Sequence, residues 1–223
     1  MNDVHRGLEK QLENLKNRPV AGWKVGLTSG RARDSMGKGF RPFGYILEER
    51  CLQTGATIAL SDVGDVGVEN ELCFLFGTDL PKNATRQEVL QAIEGVSAAF
   101  EINETRLDAS ASMMDRLADD LSQWGIVVGE SKSLDWQTFA FEEVEVNLAC
   151  DGGLVETVAA LNHIDDHFDS LVALSATLGQ FDRQILAGNR IITGSYTRQR
   201  VSKAGDWKGD FGSIIGTVEV TFK

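Results

Sequence analysis

Val68-Glu69-Asn70-Glu71-Leu72-Cys73-Phe74-Leu75-Phe76 is the stretch on which the reading of this chain turns. From Leu72 onward it is an unbroken apolar run of the length of a buried strand. Its leading end nevertheless carries two carboxylates. Side chains alternate along a strand, so Glu69 and Glu71 share a face, roughly 7 Å apart along the backbone. Two like charges beside an apolar run repel one another and resist desolvation. Solvent, a basic partner or a metal ion would each make the arrangement tolerable.

Working outward, short strands are expected around 45–47 and 57–60 before this stretch. After it, Thr85 and Glu88 form a T-x-x-E capping box that opens a helix running to about residue 98. Strands follow at 100–103 and 124–128. Segments 145–149 and 154–158 flank Asp151-Gly152-Gly153, which signals a hairpin. Phe168, Leu171, Leu174 and Leu178 mark one helix face, with Gly179 as its stop. Two more strands, 190–193 and 214–222, close the chain. At the other end, Val4, Leu8, Leu12 and Leu15 recur at helical spacing, and 22–28 is strand-like. The glycine-rich, basic segment 29–44 reads as a mobile loop. Many short strands without regular strand–helix alternation predict an α+β protein built on a curved sheet or irregular barrel, not a Rossmann-type sheet.

Composition narrows the function. A chain of 223 residues suffices for one domain with a sizeable core. A net charge of −11 argues against nonspecific nucleic-acid binding, since phosphates would be repelled. No apolar run is long enough to span a membrane, and the charged N-terminus lacks a signal-peptide core, so a cytoplasmic protein without a membrane partner is expected. Cys51, Cys73 and Cys150 are widely spaced and form no CxxC pair, which suggests free thiols in a reducing compartment.

A third acid bears on the glutamate pair. In AAFEINETRL (98–107), Glu101 opens the next expected strand. If that strand lies beside 68–76, three carboxylates converge. With waters or substrate completing six positions, they suit a hard cation, Mg²⁺ or Mn²⁺. The plain alternative is a strand end whose glutamates face water.

GWKVGLTS (22–29), VENELCFLFGTDLP (68–81), AAFEINETRL, the LADDLS–WGIVVG segment (117–129), GNRIITGS (188–195) and KAGDWKGDFGSIIGTVEVTF (203–222) resemble, in order and spacing, one branch of the fumarylacetoacetate hydrolase superfamily. That branch comprises the 2-keto-4-pentenoate hydratases and 4-oxalocrotonate decarboxylases. The resemblance implies a β-rich rolled sheet of the fumarylacetoacetate hydrolase C-terminal type with flanking helices, as one catalytic domain over 1–223 in a homo-oligomer. It implies Mg²⁺ or Mn²⁺ held by Glu69, Glu71 and Glu101. It places catalytic roles on Lys24 and Asp119, and substrate contacts on Thr193, Gly194, Ser195 and His163.

The implied reaction is hydration of a 2-hydroxy-2,4-dienoate, the enol of an unsaturated 2-keto acid, to a 4-hydroxy-2-keto acid in aromatic-compound catabolism. Decarboxylation of a 4-oxalocrotonate-like diacid, C–C hydrolysis of an acylpyruvate and a noncatalytic metal-binding subunit are the alternatives. Against the family pattern, about one helix precedes the G-x-K-V-G motif, Asp120 replaces the usual asparagine, and Ser195-Tyr196-Thr197 follows the I-T-G turn. On residue type alone, Lys24 reads as exposed, Asp119 with Asp120 as a solvated patch, His163 as a helix-start residue and His167 as surface. The basic loop, with Arg31, Arg33, Lys38 and Arg41, reads as ordinary surface or as a lid that attracts an anionic substrate.

Overall fold

The computed structural model describes residues 3–136 and 138–223. Helix α1 (Asp3–Leu15) turns Leu8, Gln11 and Leu15 inward, and Gln11 donates to the carbonyls of Phe43 and Leu117, each at 3.0 Å. Strands β1 (Val20–Val25), β2 (Phe43–Leu47), β3 (Cys51–Gln53), β4 (Ala56–Ile58) and β5 (Val66–Phe76) follow. The capping box at Thr85 and Glu88 forms as expected and starts α2 (Arg86–Ala92). That helix stops at Ala92 rather than near 98. The next residues instead form β6 (Ile93–Glu104), paired with β5 from Phe76↔Ile93 to Val66↔Glu104. Long-range pairing of β-branched Ile93 and Val96 outweighs the local helical pattern.

Helix α3 (Met113–Ala118) has its own capping box, Ser112 with Asp115, and leads to β7 (Gln123–Val128). Strands β8 (Glu145–Cys150) and β9 (Gly153–Ala159) form the expected hairpin. Its two-residue turn puts Asp151 at φ 51° and Gly152 at φ 77°, the paired positive values of a type I′ turn. Helix α4 (His167–Gly179) is capped by Asp166, and its buried face holds Phe168, Leu171, Leu174 and Leu178. It also buries His167, which corrects the surface expectation, because the first inward position of the helix falls on the imidazole. Strand β10 (Arg190–Arg200) runs well past the expected 193. The expected strand 214–222 is divided. After β11 (Gly205–Asp210), a short α5 (Gly212–Ile215) ends at Gly216 with φ 99°, and β12 is Thr217–Phe222.

Two sheets result: seven strands in the order β2-β1-β10-β5-β6-β7-β3, and five in the order β4-β12-β11-β8-β9. The larger sheet curls until β2 approaches β7, so one of its faces becomes the inside of a roll. Leu72, Phe74 and Phe76 of β5 point outward into the main core, together with α4 and the smaller sheet. Cys73, Ala99, Ile126, Val128, Ile192 and Ile46 point inward and form a separate dry plug. Among the described residues, no helix is long and apolar enough to cross a membrane.

Candidate active site and metal centre

Glu69 and Glu71 share the inward face of β5 with Cys73. The register Glu69↔Glu101 sets the third acid directly opposite on β6. Carboxylate oxygens of Glu69, Glu71 and Glu101 therefore lie within 4.8 Å of one another, and all three side chains are buried. They form the floor of a cleft of about 560 Å³ above the apolar plug.

Each acid has a distinct neighbour. Arg198 of β10 holds Glu69 with two bonds, Nε to Oε1 at 2.8 Å and Nη2 to Oε2 at 3.0 Å, and Asn103 Nδ2 adds a third at 2.5 Å. Glu71 accepts the Gly194 N–H at 2.7 Å. Glu101 accepts from Lys24 Nζ at 2.5 Å. The Gly194 contact depends on a local irregularity. The β5–β10 register shifts on both sides of Ser195, and this bulge turns the amide toward Glu71. Gly194 sits at φ 134°, and a Cβ there would lie 2.0 Å from Thr28 Oγ1. Only glycine satisfies both demands.

Burial raises the Glu71 carboxyl well above its usual range, and the charges of Glu101 and Glu69 push further, against the Gly194 bond. Burial also raises Glu69, although Arg198 opposes it. Such a trio, desolvated and mutually repelling, fits a divalent cation: it offers three hard oxygens and surplus negative charge.

Lys24 is buried, not exposed as residue type alone suggests, because its partners Gly44 and Ile192 lie on the inward face of the roll. Burial disfavours its charged form, but the charge and hydrogen bond of Glu101, with Asp120, outweigh that cost and raise its pKa. One further N–H goes to the Leu121 carbonyl at 3.0 Å. That carbonyl is aimed by an unusual backbone. Asp120, Leu121 and Ser122 all have positive φ, at 57°, 52° and 63°. Left-handed conformation costs non-glycine residues about 1 kcal/mol or more each, and such strain gathers at functional sites.

This turn also separates the two adjacent aspartates. Asp119 lies outside the cleft, with Oδ1 on Arg106 Nε at 2.8 Å. Asp120 does not line the cleft either, but its carboxylate lies behind Lys24, next to Gly44. It is buried, accepts the Tyr45 N–H at 2.8 Å, and has its pKa raised well above the usual range by burial, against the pull of Lys24.

Gly194 and Ser195 line the cleft, and Ser29 Oγ lies 3.2 Å from Ser195 Oγ. Thr193 turns its hydroxyl away, onto His167 Nδ1 at 2.8 Å; Tyr196 Oη holds the other ring nitrogen at 2.9 Å. His163 stands behind the cleft wall, with Nε2 3.3 Å from the Ser195 carbonyl. In the basic segment, Arg41 is buried in ion pairs with Asp34 and Asp165, and Arg33 also meets Asp165. Those two charges are neutralised within the fold and do not form an attracting lid. Arg198 and Ser29 line the cleft although motif matching did not single them out, and Asp120, noted in the sequence only as a departure from the family pattern, lies beside Lys24.

A 2-keto-4-pentenoate hydratase of Paraburkholderia xenovorans is 29% identical over 208 residues, 92% of this chain and 77% of that protein. The chain has the fumarylacetoacetate hydrolase fold. It is similar in sequence to the branch of hydratases and decarboxylases that the motifs indicate. A 4-oxalocrotonate decarboxylase of a Pseudomonas species is also 29% identical, over 177 residues, 79% of this chain and 68% of that protein. The solved 4-oxalocrotonate decarboxylase of Pseudomonas putida, complexed with magnesium and adipate, superposes with a TM-score of 0.85 at 18% identity. That superposition covers 100% of this chain and 87% of that one. No family model matches the chain.

Proposed function

We propose that this chain is a divalent-cation-dependent hydratase, adding water to a 2-hydroxy-2,4-dienoate to give a 4-hydroxy-2-keto acid. The carrying observation is the convergence of Glu69, Glu71 and Glu101 within 4.8 Å on the floor of a cleft that Lys24 enters. The named activity of the sequence relatives supports the choice of reaction.

Glu69, Glu71 and Glu101 would hold Mg²⁺ or Mn²⁺. Bound there, the ion would supply charge stabilisation for the substrate's C1 carboxylate and for negative charge developing on its C2 oxygen. Conversion of the dienol to its ketone moves the hydroxyl proton off the C2 oxygen and places a proton on C5. The remaining C3–C4 double bond is then conjugated to the C2 carbonyl. Water adds its oxygen at C4 and a proton at C3.

Lys24 has three N–H donors, of which Glu101 and the Leu121 carbonyl take two. The third is available to a substrate oxygen, so Lys24 orients the acid and holds a proton beside the reacting carbons. Asp120 positions Lys24 by charge from behind, while Gly44 leaves room for both. A Cβ on Gly44 would lie 2.9 Å from Lys24 Cγ and 3.0 Å from Asp120 Oδ1. Ser29 and Ser195 present their hydroxyls on the opposite wall, where they would orient the attacking water.

Purified protein incubated with 2-hydroxypenta-2,4-dienoate, 4-oxalocrotonate and an acylpyruvate, with and without Mg²⁺, tests this reading. Cation-dependent formation of a 4-hydroxy-2-keto acid is expected. Turnover only of 4-oxalocrotonate, with release of CO₂, would replace hydration by decarboxylation. No turnover of any of the three would leave a noncatalytic cation-binding chain.

A further inference from the structure

Hydration gives the motif aspartate, Asp119, no task at the reacting atoms, since it lies outside the cleft. It is bound instead by Arg106, from the segment between β6 and α3. The Arg106 guanidinium reaches four acceptors. Nε donates to Asp119 Oδ1 at 2.8 Å, and Nη2 to the Asp119 carbonyl at 2.7 Å. Nη1 donates to Glu104 Oε2 at 3.0 Å and to the Gln123 carbonyl at 3.2 Å. The two carbonyls stand on either side of the left-handed run Asp120, Leu121 and Ser122. One guanidinium therefore grips the chain immediately before and immediately after the three residues of positive φ.

Consecutive left-handed residues other than glycine persist only where their surroundings over-determine them. On the inner side, this run serves Lys24. The Leu121 carbonyl accepts from Lys24 Nζ at 3.0 Å, and Asp120 is held behind the lysine by the Tyr45 N–H at 2.8 Å. Leu121 also packs on Gly26, where a Cβ would lie 2.9 Å from Leu121 Cδ1. On the outer side, Arg106 closes the run. Were the run to relax to the right-handed region, the peptide planes around Leu121 would rotate and carry its carbonyl off Nζ. Lys24 would keep its bond to Glu101. Glu101, however, also belongs to the proposed cation site, so the Leu121 carbonyl is the acceptor that serves the lysine alone.

We propose that Arg106 and Asp119 are positioning residues for Lys24: from outside the cleft the guanidinium clamps the left-handed run, and so fixes the Leu121 carbonyl that aims the lysine. Neither residue touches substrate. The clamp needs a planar fork of N–H donors, because its acceptors lie in several directions. A lysine at 106 is a point charge on a flexible stem and cannot bridge them. The three glutamates are set by the β5–β6 register, so the clamp should leave cation affinity alone. This assignment rests on the proposed dienoate chemistry only for the task of Lys24 in turnover. The aim of Lys24 at a 2-keto acid is measurable without turnover.

The test measures dienoate turnover, Mg²⁺ affinity and, by calorimetric titration at saturating Mg²⁺, affinity for pyruvate, an unreactive 2-keto acid. Arg106→Met should lower kcat/KM by about 100-fold, the scale of a catalytic group displaced by about 1 Å. Pyruvate should bind about tenfold more weakly, as expected for the loss of one charged hydrogen bond. Mg²⁺ affinity should stay within about twofold. Arg106→Lys should be about as damaging as Arg106→Met. Adding Ser122→Gly to Arg106→Met frees one of the three positions from the left-handed penalty and should recover about fivefold of the loss. A purely structural role would lower the unfolding temperature but leave pyruvate affinity unchanged in Arg106→Met, and that result would overturn the proposal. So would Mg²⁺ affinity that falls in step with turnover. If Arg106→Met does not fold, Asp119→Ala decides, since it keeps both gripped carbonyls and removes the charged partner. Pyruvate affinity about threefold lower with Mg²⁺ retained supports the clamp, and unchanged affinity overturns it. Failure of the hydratase reading shows separately, as no dienoate turnover by the unmodified protein while the variants still weaken pyruvate binding.

Discussion

The inside of the rolled sheet has two ends, built on one face of the same strands. At one end Cys73, Ala99, Ile126 and Ile192 pack with Ile46 into a plug that excludes water. At the other, a single alternation further along β5 and β6, Glu71, Glu69 and Glu101 stand together with Lys24 among them. The difference teaches how buried charge is made affordable. The plug fixes strand spacing and register, and the register sets Glu69 across from Glu101. A slip of one residue would move the plug and the carboxylates off the inner face together. The apolar end thus holds the acids at a separation they would not choose by themselves, and their repulsion becomes an attraction for a cation.

The comparison breaks most visibly at its charged end. Lys24→Met should lower dienoate turnover by about 10³-fold, within the range for a positioned proton-transfer group and equal to about 4 kcal/mol of barrier. A loss of less than tenfold would remove Lys24 from the chemistry. At the apolar end the effect should fall on stability. Ile126→Ala, at a fully buried position, should cost about 3 kcal/mol in urea unfolding. Mg²⁺ affinity should change little if the register survives. A parallel collapse of Mg²⁺ binding would show that the two ends are less separable than the geometry suggests.

A third probe lies just outside the roll. His167 is held neutral by burial, with its pKa lowered from 6.5 to about 4. It binds a proton less readily in the folded chain than in the unfolded one. The stability linked to it is therefore full above pH 6.5 and declines as the pH falls from 6.5 toward 4, by about 1 kcal/mol per pH unit. His167→Gln should flatten that part of the stability–pH curve. An unchanged slope would mean that His167 does not set it.

Much of this was legible in the residues. The buried-strand reading of 68–76 put Glu69 and Glu71 on one face, the matching motifs indicated the rolled sheet, and the Thr85–Glu88 box marked a helix start. Other features have no local signal. Ile93 to Ser97 reads as helix until β5 is there to pair with it. The left-handed run Asp120–Ser122 contains no glycine, so nothing in its sequence shows that Asp120, not Asp119, turns toward Lys24. Arg198 reaches Glu69 through a register set by a bulge. Single residues likewise could not show that Arg41 is spent on Asp34 and Asp165.

The central claim, that the three glutamates form a divalent-cation site, is tested most directly by titrating Mg²⁺ or Mn²⁺ into the unmodified protein and Glu71→Gln. The account predicts one ion per chain in the former and an affinity lower by about 100-fold or more in the latter. Without added cation, Glu71→Gln should unfold at no lower temperature, because it removes one of three repelling buried charges. Equal affinity in the two proteins would contradict the account.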